Sequence, residues 1–95
     1  MDINVSHEEH GHRGAFFVMQ DGKRLAEMTY SRASPTLVII DHTEVDGSLG
    51  GKGVGRRLLD AAVQWARDTG TRVMATCPFA KAQFDRDPSI GDVLA

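Results

Sequence analysis

A cluster of glycines is the feature of this sequence with the clearest chemistry. Four of the six residues from Gly50 to Gly55 are glycine. Such a segment lets the backbone approach a ligand closely and leaves amide N–H groups at the positive end of a helix, an arrangement that binds phosphate. The P-loop motif does not fit, because Gly53 follows Lys52 where Ser or Thr is needed. The dinucleotide fingerprint does not fit either, because Arg56 or Leu58 stands where its third glycine is needed. The spacing predicts a phosphate cradle of another kind; a flexible loop before a surface helix is the alternative.

Three side chains outside this segment are candidates for acid–base or nucleophilic chemistry. Cys77 is the single cysteine, so it forms no internal disulfide and is either a reactive thiol or a small buried hydrophobe. His42 and Glu44 alternate along a β-branched stretch, which places them on one face of a strand and Thr43 and Val45 on the other. Histidine changes charge near neutral pH, so His42 could act as a base or orient a thiolate at Cys77. Glu44 is a second candidate base. The alternatives are a structural histidine and a solvated carboxylate.

Hydrophobic periodicity predicts the elements that must position these residues. Strands are predicted over 14–20 and 24–32, joined by a tight hairpin turn at Asp21-Gly22. The other predicted elements are a strand over 37–45, a helix with an apolar stripe from Val54 to Ala66, a strand over 71–77 and a short helix over 79–86. This order predicts an α+β fold with a mixed, mostly antiparallel sheet and a β-helix-β crossover.

The two ends of the chain are predicted to be less ordered. Residues 1–12 contain three histidines, His7, His10 and His12, with little apolar periodicity, so we expect a weakly ordered arm. The histidine spacing lacks a fourth partner, which favours a polar surface tract over a metal site, and no metal is expected. Residues 89–95 are expected to form a loosely packed terminus.

Composition limits the class of protein. The chain has 95 residues and a formal net charge of -2, so we expect a single domain over 1–95 that binds neither nucleic acid nor membrane. The absence of a signal sequence or membrane span, together with the single thiol, predicts a cytoplasmic protein. The oligomeric state is left open.

Three segments together resemble a known family. His42-Thr43-Glu44-Val45, Gly51-Lys52-Gly53-Val54-Gly55 and Cys77-Pro78-Phe79 look like the minimal branch of the GNAT superfamily of N-acetyltransferases, over roughly residues 14–88. The resemblance implies a compact GNAT-like fold and acetyl-CoA or coenzyme A as cofactor. The superfamily pattern is Arg or Gln, two residues, Gly, one residue, then Gly or Ala, and its amides hold the coenzyme A pyrophosphate. The implied cofactor-binding residues are Val45, Gly50, Gly51, Lys52, Gly53, Val54, Gly55 and Arg56. Gly50 departs from the pattern, since it replaces the Arg or Gln.

The resemblance also implies an activity. We expect transfer of an acetyl group from acetyl-CoA to a primary amine, on a small molecule or on a protein lysine, with Cys77, His42 and Glu44 as the catalytic candidates. In the minimal branch the cysteine is a proposed acetyl acceptor, which implies an acetyl-cysteine intermediate. Asp87-Pro88 stands where that branch often shows His-Pro. The absent side chain at Gly50 favours the alternative of a non-catalytic module that binds acyl-CoA or coenzyme A.

Overall fold

A five-stranded sheet forms the centre of the molecule, and its strands lie side by side in chain order. The computed structural model describes residues 3–95. The strands are β1 (Ser6–His10), β2 (Arg13–Gln20), β3 (Lys23–Ser34), β4 (Leu37–Val45) and β5 (Arg72–Ala75). Helix α1 (Val54–Thr69) connects β4 to β5, α2 (Pro78–Arg86) follows β5, and short 3₁₀ helices span Gly47–Leu49 and Pro88–Val93. The pairs from β1 to β4 are antiparallel, whereas β4 and β5 are parallel. The predicted mixed sheet with a β-helix-β crossover is therefore confirmed.

Local sequence signals account for the turn and the helix end that were predicted most specifically. Asp21 and Gly22 have φ values of 50° and 78°, as a two-residue turn between β2 and β3 requires. Gly70 caps α1 with φ 68° and donates its N–H to the carbonyl of Ala66. Both positions need the left-handed backbone that glycine adopts without a Cβ penalty.

The helices lie on one face of the sheet. Strand residues such as Phe16, Met28 and Ile40 belong to one buried cluster with the buried residues of α1 and α2, for example Leu58 and Phe84. We call this the helix face. The other face, which we call the open face, carries the alternate residues of each strand, among them Glu27, Thr29 and Ser31.

A β-bulge in β4 decides which residues of that strand meet each face. Ile40 pairs with Tyr30 and His42 pairs with Thr29, so Asp41 is an extra residue on its strand. Without the extra residue, strict alternation from Ile40 would place His42 on the helix face.

The bulge reverses that alternation for the rest of β4. Thr43 pairs with the buried Met28, so it lies on the helix face, and His42 and Glu44 point to the open face. The carboxylate of Asp41 accepts hydrogen bonds from Thr29 and Arg13 at 2.6 Å and from Ser31 at 3.1 Å, which ties the bulge to the two preceding strands.

The predicted N-terminal arm is wrong over residues 6–10, which form β1. His7 explains the difference, because its ring stacks on Phe16 at 4.1 Å and its Nε2 lies 2.7 Å from the hydroxyl of Tyr30. Burial lowers the pKa of His7; the charge of Glu9 raises this pKa and the charge of Arg32 lowers it further. Met1 and Asp2, which the predicted arm included, lie outside the described residues. Within residues 3–95 no group of three or more potential ligands could hold a metal ion.

The predicted loose C-terminus is also wrong. Ile90 and Val93 are buried in the 3₁₀ helix Pro88–Val93, and Leu94 forms a parallel bridge with Val73 of β5. Arg67 of α1 binds both carboxylate oxygens of Asp92 at 2.8–2.9 Å. Within residues 3–95 no helix is long and apolar enough to span a membrane.

Candidate functional site

The loop from β4 to α1 is held rigidly before the glycine segment begins. Asp46 donates its N–H to the carbonyl of Leu25, and its carboxylate accepts the N–H of Ser48 at 2.9 Å. The Ser48 side chain, followed by its N–H, is the main reason that the pKa of Asp46 lies below its ordinary value. Leu49 is only 1% exposed and anchors the turn in the core. The start of the loop is therefore determined by a cap and an apolar anchor.

The glycine segment presents a row of free amides at the start of α1. Gly51 and Gly53 have φ values of 76° and 67°, a region that glycine enters readily. Gly53 is the N-cap and has no side-chain cap, and the first turn of α1 contains no acidic residue. In the described part of the chain, no acceptor is bonded to the amides of residues 51–56. The positive end of a 16-residue helix is thus open to an anion, which fits a pyrophosphate.

These amides border an open groove of about 350 Å³ between the end of β4 and the two helices. That volume is within the range of small-molecule sites. Six of the eight predicted cofactor-binding residues line it: Val45, Gly50, Gly51, Gly53, Val54 and Gly55. The other lining residues are Thr43, Asp46, Gly47, Leu49 and Phe79. The structure brings most of the predicted set to one groove, and their role toward coenzyme A stays a prediction.

The other two predicted residues, Lys52 and Arg56, do not line the groove. Lys52 is exposed, and no carboxylate within residues 3–95 pairs with it. The guanidinium of Arg56 is occupied by Asp60 at 2.8 Å, by Gln83 at 3.0 Å and by Asp87. Only the backbone amide of Arg56 is available to a ligand at the cradle.

Gly50 and Gly55 each lie where a side chain would approach a neighbouring group closely. The N–H of Gly50 is used by the carbonyl of Gly47 at 3.0 Å, and a Cβ at Gly50 would lie 3.1 Å from that oxygen. A Cβ at Gly55 would lie 2.9 Å from Cζ of Phe79. The missing side chain at Gly55 therefore lets the Phe79 ring pack against the first turn of α1 and form a wall of the groove.

Cys77 lies at the junction of β5 and α2. It is the N-cap of α2, with Pro78 in the first turn, and it is only 3% exposed. Its Sγ is 3.1 Å from Oγ1 of Thr43, which lines the groove. The sulfur is thus buried beside the groove and close to the positive end of α2.

The strands β4 and β5 separate next to Cys77. Their last paired residues are Ile40 and Ala75. The carbonyl of Ile40 then accepts the amides of both Thr76, at 2.9 Å, and Cys77, at 3.2 Å. β4 continues to Val45 paired only with β3, so a gap opens between β4 and β5 beside the thiol.

His42 and Glu44 lie on the opposite face of β4 from Cys77. Their side chains are 58% and 71% exposed, and His42 Nε2 is 3.4 Å from a carboxylate oxygen of Glu44. The proposed orientation of a thiolate by His42 is therefore corrected, since the polar group that contacts the sulfur is Thr43. A role for His42 or Glu44 as a base stays a prediction. Alternation separates Thr43 from His42, but strict alternation from Ile40 would turn Thr43 away from the helices, so the sequence pattern gave no signal for its contact with the sulfur.

Asp87, which stands where the resembling branch often has His, connects the two helices. Its carboxylate accepts a hydrogen bond from the guanidinium of Arg56 in α1. It also accepts hydrogen bonds from the N–H and the hydroxyl of Ser89. The ion pair with Arg56 is the main reason that the pKa of Asp87 falls to about 2. At neutral pH the aspartate holds the start of α1 against the end of α2.

Comparisons with known proteins agree with this geometry. A family model described as GCN5-related N-acetyl-transferase matches residues 15–93. The solution structure of a GCN5-like protein from Staphylococcus aureus, classed as an N-acetyltransferase, is 34% identical, with a TM-score of 0.72 over 97% of this chain and 89% of that one. This confirms the predicted fold class. No curated protein matches the chain significantly.

Larger acetyltransferases share the fold at lower identity. The ribosomal-protein-S18-alanine N-acetyltransferase from Escherichia coli is 18% identical, with a TM-score of 0.65 over 82% of this chain and 53% of that one. An aminoglycoside acetyltransferase from an uncultured soil metagenomic sample is 17% identical, with a TM-score of 0.60 over 90% of this chain and 61% of that one. The chain thus spans little more than half of these two proteins.

Proposed function

Because the chain belongs to the GCN5-related N-acetyltransferase family, we propose that it transfers an acetyl group from acetyl-CoA to a primary amine by way of Cys77. The expected acetyl-CoA-dependent N-acetyltransferase is confirmed at the level of the family. The binding residues, the intermediate and the acceptor described below are our proposal for this chain. We also propose the cytoplasm, where a single thiol stays reduced, as its compartment.

The row of free amides in residues 51–56 is the observation that carries the proposal. Backbone N–H groups at a helix start bind the pyrophosphate of coenzyme A without a cationic side chain. The replacement of the usual Arg or Gln by Gly50 is then tolerable, because the backbone supplies the donors. The groove leads from these amides past Val45 and Phe79 to Thr43, which touches Cys77.

Acetyl-CoA supplies an acyl group activated as a thioester. Sγ of Cys77 gives up its proton and forms a bond to the acetyl carbonyl carbon as the bond from that carbon to the coenzyme A sulfur breaks. The proton ends on the departing coenzyme A thiol. A neutral amine then attacks the acetyl-cysteine, the Cys77 thiol is regenerated, and the amine proton balances the transfer.

We place the amine acceptor at the open face. The gap between β4 and β5 lies beside Cys77 and would let an amine reach the acetyl-cysteine from the open face, where His42 and Glu44 are exposed. Either side chain can take the proton that the ammonium form of the acceptor must lose. A small-molecule amine and a protein lysine both fit this open surface.

A thermal-shift experiment with acetyl-CoA, coenzyme A, ATP and NAD tests the cofactor. Ligand at about 100 times its Kd should stabilise the protein by about 2.7 kcal/mol, a rise in Tm of roughly ten degrees or more for a domain of this size. We expect the rise with the two coenzyme A ligands and not with NAD. An unchanged Tm with acetyl-CoA would refute the proposed function.

Intact-mass measurement after exposure to acetyl-CoA tests the intermediate. We expect one acetyl adduct on the wild-type chain and none on Cys77→Ala. An adduct that persists in Cys77→Ala would exclude the covalent route. Binding of acetyl-CoA without an adduct or turnover would instead identify a non-catalytic coenzyme A-binding module.

A further inference from the structure

The hydrogen bond between Thr43 and Cys77 joins β4 to the start of α2. The Oγ1 to Sγ distance is 3.1 Å, and either atom can be the donor. In residues 3–95 the sulfur has no other side-chain hydrogen-bond partner. Thr43 reaches the sulfur because the bulge at Asp41 turns it to the helix face.

The surroundings of Cys77 are apolar, so the Thr43 hydroxyl is the polar group that can stabilise a charge on the sulfur. The cysteine belongs to the buried apolar cluster, and its own N–H is used by the carbonyl of Ile40. His42 is the histidine nearest in sequence to Thr43, but it lies on the other face of β4 and pairs with Glu44. A thiol in apolar surroundings without a base is normally inert.

We infer that Thr43 is the positioning residue of Cys77: its hydroxyl holds the sulfur at the groove wall and stabilises it as proton donor when the thiol has lost its proton. The inference rests on the proposed function, because it assigns the group that prepares the proposed acetyl acceptor. Thr43 itself forms no bond to the acetyl group.

A hydroxyl suits both states of the sulfur. It has one donor hydrogen and two acceptor lone pairs, and its hydrogen rotates. Thr43 can therefore accept a hydrogen bond from the thiol and, after a rotation of its O–H, donate one to the thiolate. The sulfur stays at the same place through the change of charge, which orients it for attack.

Two variants of Thr43 separate the hydroxyl from the volume of the side chain. Thr43→Val keeps the shape and removes the hydroxyl, whereas Thr43→Ser keeps the hydroxyl and removes a methyl group. We would measure the rate at which methyl methanethiosulfonate labels Cys77 in protein without ligand, at pH 7, by intact mass. Since the chain has one cysteine, every label reports on Cys77.

We expect labelling to be about five- to tenfold slower in Thr43→Val, because the variant loses a hydrogen bond that is stronger to the thiolate than to the neutral thiol by about that factor. Thr43→Ser should label within about threefold of the wild-type rate, because its hydroxyl is retained. In the transfer reaction, Thr43→Val should lower kcat and leave KM for acetyl-CoA unchanged.

Labelling of Thr43→Val at the wild-type rate would overturn the inference. Equal slowing in Thr43→Ser and Thr43→Val would also overturn it, because it would show that Thr43 affects Cys77 only through packing. If Thr43→Val does not fold, slowing of Thr43→Ala relative to Thr43→Ser carries the same test. The thermal shift with acetyl-CoA is run on each variant. A wild-type chain that fails to bind acetyl-CoA refutes the proposed function, whereas the labelling experiment uses no coenzyme A and judges Thr43 separately.

Discussion

The two faces of β4 differ in what they offer a substrate. On the helix face, Thr43 and Val45 border a groove with free amides and a buried thiol, and no ion pair lies in it among the described residues. On the open face, His42 and Glu44 are exposed to solvent, and Asp41 is held by Arg13. One strand thus borders a groove with free amides on one side and presents exposed titratable side chains on the other.

The two halves of the proposed reaction therefore use separate surfaces. Binding of the acyl donor depends on backbone geometry, which a single Cβ can disturb. Proton removal from the acceptor depends on exposed side chains, which leave the groove unchanged when they are replaced. The bulge at Asp41 assigns neighbouring residues of β4 to these two roles.

The largest expected effect is a loss of coenzyme A affinity in Gly53→Val. A β-branched residue at φ 67° is strained, and relief of that strain would reorient the amides of the cradle. We expect a Kd for coenzyme A about a hundredfold higher, the equivalent of losing about two hydrogen bonds to a charged group. Isothermal titration calorimetry measures it.

Gly70→Val is a matched control, because Gly70 has nearly the same backbone angles at the other end of α1. Both variants should lose about 2 kcal/mol of unfolding free energy, but only Gly53→Val should lose affinity. Equal affinity in the two variants would show that the groove is not a coenzyme A site.

On the open face, Glu44→Gln should slow acetyl transfer about tenfold and leave the Kd for acetyl-CoA unchanged. The expected loss is below the usual range for a general base, because His42 is 3.4 Å away and remains able to take the proton. Steady-state kinetics with a primary amine, beside binding measurements, separates the two faces. A changed Kd would contradict their independence.

Disturbing the packing of Phe79 on Gly55, on the helix face, should have a smaller effect on coenzyme A affinity. In Gly55→Ala the new Cβ would lie 2.9 Å from the ring, which must move toward the groove. We expect coenzyme A affinity to fall about threefold, as a partial loss of one contact implies. The double variant Gly55→Ala with Phe79→Leu should recover most of it, and failure to recover would show that the clash is not the cause.

The smallest expected effect concerns Asp41, the bulge residue. Burial raises the pKa of Asp41, but hydrogen bonds from Thr29, Arg13 and Ser31 outweigh it and hold the pKa below its ordinary value. Asp41→Asn should lower the unfolding free energy at pH 7 by about 0.5 kcal/mol.

This contribution should depend on pH in a definite direction. Because the folded pKa of Asp41 is the lower one, the stabilisation is present above the unfolded pKa of about 3.9 and is lost as the pH falls through the folded pKa. The difference in Tm between wild type and Asp41→Asn should therefore shrink below pH 4. A constant difference would show that the charge of Asp41 does not stabilise the bulge.

The sequence by itself determined the elements whose signals are local. The hairpin at Asp21-Gly22, the cap at Gly70 and the glycine turn before α1 each depend on backbone conformations that glycine adopts within a few residues. The spacing of the same segment predicted five residues that line the groove: Gly50, Gly51, Gly53, Val54 and Gly55. Edge strand β1 could not, because its five residues are polar and His7 gains its place only by stacking on Phe16.

The tertiary structure decided which predicted site residues meet. Alternation predicts that Thr43 and His42 lie on opposite sides of β4, but the bulge that turns Thr43 inward arises from pairing with β3. Likewise, Arg56 follows the glycine segment in sequence, yet its guanidinium is held by Asp87, 31 residues further along the chain. Backbone conformation depends on neighbouring residues in the sequence. The sheet face that a side chain occupies and the ion pairs that it forms depend on strands and helices that meet only after folding.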